Sequence, residues 1–323
     1  MIVVEPSYEI QDALDRLPLP QALEARGRIC YKSEDKISED SAIPFLTKIA
    51  TSGHGSVLEM AVVTAEISCA TTEASVFLAT QPRFFMVDET GETDEMGTKR
   101  LVITASVRAL RELLTAETTD SAITAVPIAA PVTAMAEALA AKYPFLFTGI
   151  VLPPAVSPRT ALPPRFLSID EVEAMPPALL LRHRFLGVKF VVNRAVSHEL
   201  VRHRLCSFLQ ESQRYCNYGQ ARFDRHIAFI RPLFYAKDSP EFARWQQAMA
   251  ETEAAYFHLL ATSSPQAART VLPNSCKTEI VVYCNLEEWR HIFKLRTTGA
   301  AEPSMREIML PLQAELKARY PFL

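Results

Sequence analysis

The chain has 323 residues, 49% hydrophobic and 22% charged, enough to bury one large core or two smaller ones. Its formal net charge of −3 argues against a protein that coats nucleic acid or anionic membrane through global charge. Six cysteines, at 30, 69, 206, 216, 276 and 284, give neither a Cys-x-x-Cys pair nor a tight disulfide framework; the start lacks a basic-then-apolar leader, and no apolar run reaches about eighteen residues, so a reduced, cytoplasmic, non-membrane protein is expected.

In chain order, residues 2–4 predict a short strand, and apolar periodicity predicts amphipathic helices over 10–26 and 41–52. Gly53-His54-Gly55-Ser56 interrupts that period, and the alternation Val63, Ala65, Ile67, Cys69 predicts a half-buried strand within 57–69. From about 70 to 186 the chain turns alanine- and proline-rich, which reads as an insertion. It holds an acidic loop at 88–95, helices expected at 104–114 and 132–143, and a proline-spaced stretch at 153–164. The acidic loop lacks calcium-loop ligand spacing and reads as solvated surface; no metal site is expected. Regular patterning returns at 188–201, where Val188, Val191, Val192, Ala195, Val196 and Leu200 form a stripe at helical spacing. Strands are expected at 226–230 and 277–285, and helices at 242–261, 286–296 and 304–320.

The stretch after 201 concentrates chemistry: Arg202-His203-Arg204, then Gln210, Ser212, Arg214 and Tyr215. Guanidinium forks match phosphate oxygens, while Gln210 and Ser212 orient a ligand without adding charge. Residues 202–231 hold six arginines against Glu211 and Asp224, so positive charge is local. A solvated basic face is the plainer reading of the tripeptide, and Arg182-His183-Arg184 repeats it with Val192 where the later copy has Ser212. Three further clusters carry groups suited to ligands: Arg28 with Tyr31; His54 with Ser56 and Glu59; and Arg269 with Asn285, His291 and Arg296. Each also has a local structural reading, as cap, helix-start carboxylate or polar helix face.

Arg-His-Arg, seven residues, then Ser resembles the signature of the flavin-dependent thymidylate synthases. The resemblance extends to Arg28-Ile-Cys-Tyr31, Gly53-His54-Gly-Ser56-Val-Leu-Glu59, Ser197 through Arg204, Arg269-Thr-Val-Leu-Pro273 and Asn285 through Arg296, covering roughly 1–70 and 187–320. The family loop often carries Glu and His where this chain has Gly55 and Met60. The resemblance implies an α+β fold, an antiparallel sheet flanked by helices, in a single catalytic domain over 1–323 interrupted by the insertion at about 70–186. It implies conversion of dUMP to dTMP, with methylenetetrahydrofolate as carbon donor, FAD as bound cofactor and NADPH as reductant, in a homotetramer with shared active sites. By position, Ser56, Arg202, His203, Arg204, Asn285 and His291 resemble the flavin-contacting set. Glu199, Arg202, Ser212, Arg214, Arg269 and Arg296 resemble the dUMP-contacting set, and Gln210 stands in both. Arg296 is expected to act as the catalytic cation beside the uracil ring.

Cys206, Cys216 and Cys276 are weighed as nucleophiles and read instead as small hydrophobes, and Ser212 as a hydrogen-bond donor, since no base accompanies it. Two rival readings stand beside the synthase: a nucleic-acid-binding module that stacks bases on Phe208, Tyr215, Tyr218 and Phe223, and an inactive family homologue.

Overall fold

The computed structural model describes residues 1–80, 84–91, 97–116, 130–150 and 163–323. Its strands are β1 (Ile2–Val4), β2 (Ser7–Ile10), β3 (Val62–Ala70), β4 (Phe85–Glu89), β5 (Thr98–Ser106), β6 (Arg165–Phe166), β7 (Phe185–Asn193), β8 (Ser207–Gln210), β9 (Ala228–Ile230) and β10 (Lys277–Asn285). They form a parallel pair β1-β9 and two four-stranded sheets, β2-β7-β10-β8 and β4-β5-β3-β6. Pairing is antiparallel between β2 and β7, between β10 and β8, and throughout the second sheet, so the protein mixes helices with largely antiparallel sheets.

Two compact units result, one of Met1–Asp12, Arg26–Asp35 and Leu186–Leu323, the other of Ala13–Ala25 and Lys36–Phe185. The second unit starts well before residue 70, because β3 is an inner strand of its sheet. Most of its expected alternation is present: Ala65, Ile67 and Cys69 are buried against intervening Glu66 and Ser68, while Val63 is only partly buried and Thr64 takes the buried place beside it. Of the acidic loop, Asp88 and Glu89 are described and ion-paired, Asp88 to Arg182 at 2.6 Å and Glu89 to Lys99 at 2.8 Å, in place of free solvation. Glu92, Asp94 and Glu95, and the stretch 151–162, lie outside the described residues.

The first unit packs helices Leu286–Arg296 and Pro303–Arg319 around Trp289, Phe293, Ile308, Met309 and Leu312, all at or below 3% exposure. Trp289 donates Nε1–H to the Leu186 carbonyl at 3.0 Å, so its polar atom is satisfied inside that core. A second cluster holds Cys216, Tyr218, Phe229, Tyr256 and Cys276 under the long helix Pro240–Thr262. That helix starts where Ser239 accepts from the Phe242 amide, with Pro240 in its first turn.

Three expected helices are corrected. Residues 188–193 belong to β7: Leu186, Val188, Phe190 and Val192 are all at or below 1% exposure, a period of two set by β-branched and aromatic side chains pairing with β2. Residues 104–106 likewise finish β5, and the helix begins at Val107. The helix expected at 10–26 is Leu19–Ile29, preceded by β2 and a short turn of helix, since prolines at 18 and 20 fit only a helix start. Strands at 2–4, 228–230 and 277–285 and the last three helices fall where the pattern put them, within two residues at each end.

A chain of charge crosses β10 and the end of β8. Glu279 binds Lys32 at 2.8 Å and Lys277 at 2.7 Å; Lys277 also binds Glu211 at 2.8 Å, which accepts from the Tyr218 hydroxyl at 3.1 Å. Burial pushes the Glu279 carboxyl up, but Lys277 and Lys32 outweigh it and bring it down from 4.5 to about 2. A lowered folded value means stability that is complete above about 4.5 and is lost as the pH falls toward 2. Glu279→Gln is therefore expected to reduce the acid dependence of stability in that window by about one proton, as read by urea titrations between those pH values. An unchanged slope assigns the acid response to other carboxylates.

Candidate active site

Two adjacent strands, β7 and β10, each end on an asparagine that starts a helix. The Asn193 side chain accepts from the Val196 amide at 2.8 Å and opens Arg194–Leu200; Asn285 accepts from Glu288 at 2.9 Å and opens Leu286–Arg296. Each cap satisfies an amide that the first turn cannot bond internally. Glu287 and Glu288 near the start and Lys294 and Arg296 near the end of the second helix also match its dipole.

These helices bring Glu199, His203 and Arg296 together. Arg296 donates from Nη1 to the Glu199 carboxylate at 2.6 Å, from Nη2 to the Glu199 carbonyl at 3.2 Å and from Nε to His203 Nε2 at 3.1 Å. His203 is buried, and its other nitrogen faces the buried Glu288 carboxylate at 3.7 Å. His291 meets the His203 ring edge-on at 6.2 Å. One ligand atom each of His203, Glu288 and His291 falls within 4.8 Å of the others, spacing that invites a metal. Because Nε2 of His203 accepts from Arg296, a neutral ring carries its proton on the Nδ1 that faces Glu288, leaving no lone pair there for a cation.

Arg202 and Arg204 project from the turn that follows, exposed, and with no ion pair among the described residues. β8 then carries Gln210, whose amide donates to Ser197 at 2.9 Å and Thr278 at 3.1 Å, so it also ties β8 to its neighbours. The Ser212 amide is held by the Cys30 carbonyl at 3.2 Å. Arg214 lies over the exposed Tyr215 ring at 4.8 Å and donates to its hydroxyl at 2.8 Å, while Tyr31 flanks that ring at 6.0 Å. Arg269 is exposed in a short turn of helix, again without an ion pair among the described residues. Ser56 lies in the other unit, half-buried in the short helix Gly55–Leu58.

The 53–59 loop explains its own departures. Gly53 closes the preceding helix at φ 74°, a left-handed geometry that suits glycine. A Cβ on Gly55 would stand 2.9 Å from Nε of Arg108, which pairs with Glu59 at 3.0 Å and Glu112 at 2.6 Å, so a larger residue at 55 requires that arginine side chain to shift within its ion pairs. Met60 is fully buried and serves the core.

Sequence reasoning passed over Glu288 and Arg108. Glu288 was legible as the residue three before His291 on one helix face; Arg108 lies about fifty residues from Glu59, and no spacing signals it. Two of the three thiols read as hydrophobes are so placed: Cys216 and Cys276 are buried in the apolar cluster, and burial pushes the Cys276 thiol up to about 12, whereas Cys206 is only partly buried. Tyr218 is buried and Phe223 packs against it edge-on at 5.2 Å, which removes two of the four rings a base-stacking surface would need.

The two Arg-His-Arg copies differ in charge balance. In the first, Arg182 and His183 share Asp88 at 2.6 and 3.0 Å, and Arg184, 1% exposed, binds Asp15 at 2.7 Å and Glu173 at 2.6 Å. His183 also meets the Thr104 hydroxyl at 2.8 Å inside the second unit. That copy is internally neutralised; the second keeps Arg202 and Arg204 outward.

A family model described as thymidylate synthase complementing protein matches residues 179–322. The flavin-dependent thymidylate synthase of Pyrococcus furiosus is 34% identical over 128 residues, covering 39% of this chain and 52% of that protein. That of Corynebacterium aurimucosum is 33% identical over 148 residues, covering 41% and 57%. A crystal structure of a UMP/dUMP methylase, PolB, from Streptomyces cacaoi bound with 5-Br dUMP overlaps at TM-score 0.37 and 19% identity, covering 43% of this chain and 69% of that one, a likeness too slight to define a fold. Over residues 179–322 the chain is thus similar to the thymidylate synthase complementing proteins, and the curated relatives it matches are flavin-dependent thymidylate synthases. The chain spans about half the length of the curated relatives it matches, and the motifs at 28–31 and 53–59 precede the segment matched by the family model. Among the described residues no helix is long and apolar enough to cross a membrane.

Removing either copy's arginine separates their roles. Arg184→Ala is expected to cost about 3–5 kcal/mol in urea unfolding, because it strands two acidic partners, whereas Arg204→Ala should stay within about 0.5 kcal/mol of the parent. Equal costs would place Arg204 in the fold's own bonding.

Proposed function

We propose that the protein is a flavin-dependent thymidylate synthase that converts dUMP to dTMP, taking its carbon from methylenetetrahydrofolate and its reducing equivalents from NADPH through FAD. The observation that carries this reading is the unequal charge balance within one family segment. Arg202, Arg204 and Arg269 have no ion pair among the described residues, while Arg296 is fixed by Glu199 and His203. Exposed guanidinium groups suit the three phosphates that FAD and dUMP bring, at roughly 1.5–3 kcal/mol for each charge-assisted contact.

The residues present fit a flavin. Arg202, His203 and Arg204 would face its diphosphate and ring system with Asn285 and His291, and Ser56 and Gln210 are the further contacts we assign. Bound flavin supplies the two-electron chemistry; the chain supplies position and field. Glu199, Arg202, Gln210, Ser212, Arg214, Arg269 and Arg296 are assigned to dUMP. Three of the five N–H donors of Arg296 are committed to Glu199 and His203, and the remaining two are free to meet a uracil carbonyl as negative charge develops on the ring. Glu199 and His203 act as positioning residues, since they hold the guanidinium plane before substrate arrives. We further propose a cytoplasmic homotetramer with shared active sites, and a single catalytic domain in which the region from about 70 to 186 is an interruption.

The test is an anaerobic assay with FAD, NADPH, dUMP and methylenetetrahydrofolate that scores dTMP and flavin oxidation together. Flavin oxidation without dTMP rejects the synthase and leaves a flavoprotein; salt-sensitive binding to single-stranded oligonucleotides with no flavin uptake favours a nucleic-acid module. Arg296→Ala is expected to retain flavin by absorbance while dTMP formation falls about a hundredfold to a thousandfold. Near-parental turnover removes the assigned role. Ser212→Ala is expected to raise KM for dUMP and keep measurable kcat; complete loss of turnover with dUMP still bound would make the hydroxyl a nucleophile.

A further inference from the structure

We propose that Cys206 and Cys284 form a reversible dithiol–disulfide site beside the candidate active site. The ladder between β8 and β10 pairs Gln210 with Ile280 and Ser207 with Tyr283, and continuing that register sets Cys206 opposite Cys284. Its phase follows from the Glu211 amide, which donates to the Glu279 carbonyl at 2.8 Å and marks that pair as hydrogen-bonded. Bonded and non-bonded pairs alternate along an antiparallel ladder, so five steps on the two cysteines take a non-bonded position. There opposing Cα atoms approach to about 4.5 Å with side chains on one face, inside the roughly 4.4–6.8 Å that a disulfide spans. The two side chains hydrogen-bond to each other, and both cysteines are free thiols.

Their exposures divide the labour. Cys206 is partly exposed and Cys284 fully buried, and burial holds the Cys284 thiol well above its ordinary range, so Cys206 makes the first attack. The Cys206 thiolate attacks one sulfur of a low-molecular-weight disulfide, forms a mixed disulfide and releases the first small thiol. Cys284 then gives up its proton and attacks the Cys206 sulfur, expelling the second small thiol and closing the cross-strand bond. Two electrons pass to the small disulfide, which is the oxidant. Neither Cys216 nor Cys276 offers this chemistry, since both are buried in the apolar cluster with Tyr218, Phe229 and Tyr256. The bond staples the turn after Arg204 to the residue before the Asn285 cap, and so joins the basic turn to the start of the helix that carries Arg296.

The protein, incubated with oxidised glutathione, freed of excess and denatured without reductant, is expected to fall from six titratable thiols to four and to stay a monomer by denaturing, non-reducing electrophoresis. Peptide mapping should find Cys206 joined to Cys284, and dithiothreitol should restore six thiols. Cys284→Ala is expected to trap one glutathione on Cys206, and Cys206→Ser to keep all five of its thiols. Six thiols after treatment, a stable glutathione adduct on the parent protein, or a different linkage in the map overturns the proposal. The thiol count is independent of flavin or dUMP binding, so a failed synthase assay leaves this result standing.

Discussion

The site depends on one repeated device, an asparagine that ends a central strand and opens a helix. Asn193 and Asn285 stand at the ends of neighbouring strands, and each converts an extended backbone into a helix within one residue. Glu199 and Arg296 ride on the two helices so produced, and their ion pair at 2.6 Å is the point where the two segments meet. His203, in the turn beyond the first helix, accepts from the same guanidinium. A cap is worth about 1 kcal/mol to a helix, but here it also fixes where a charged side chain emerges. The same Asn285 that is assigned to flavin therefore has a prior structural duty, and its substitution would disturb helix and ligand together.

Charge balance, more than residue type, separates a structural motif from a binding one. Both Arg-His-Arg copies are chemically identical as tripeptides. The first is folded against Asp88, Asp15 and Glu173, with Arg184 among the most buried side chains of its unit. Desolvating a guanidinium costs several kcal/mol unless carboxylates meet it, and two carboxylates do. Among the described residues no ion pair neutralises Arg202 or Arg204 of the second copy, and nearby Glu199 and Glu288 are paired with Arg296 and His203. Arg202 and Arg204 are left to water or to an incoming anion.

What the sequence made legible follows the same physics. The run 277–285 and the helix after it were readable because β-branched residues, an asparagine cap and a clean apolar period all agree. At 188–201 they conflict: Val188, Val191, Val192 and Val196 satisfy a helical stripe and a strand equally, and only pairing with β2 decides. The strand inside the signature, β8, has four residues and little period to read, although it fixes Gln210 against Thr278. Candidate residues that came from motif spacing lie in the first unit except His54, Ser56 and Glu59 of the 53–59 loop. Of the partners that set this geometry, Glu288 behind His203 lies inside a recognisable stretch, whereas Lys277 behind Glu211 and Arg108 behind Glu59 carry no motif, because a supporting contact is selected by proximity in the fold and not by distance along the chain.

The supporting charges also bear on Ser212. Its neighbour Glu211 is 2% exposed and spends both carboxylate oxygens, one on Lys277 and one on the Tyr218 hydroxyl. Its amide is held by Glu279, and that of Ser212 by Cys30, so backbone and side chain are pinned on both sides of residue 211. A serine that only donates to a ligand gains from such rigidity, since orientation is fixed before binding and less freedom is lost on it. A nucleophilic serine would need a base within reach, and the acidic group nearest in sequence is instead buried, paired and turned toward Lys277. The surroundings of residue 212 thus favour recognition over covalent chemistry, and they do so through groups that the signature itself does not contain.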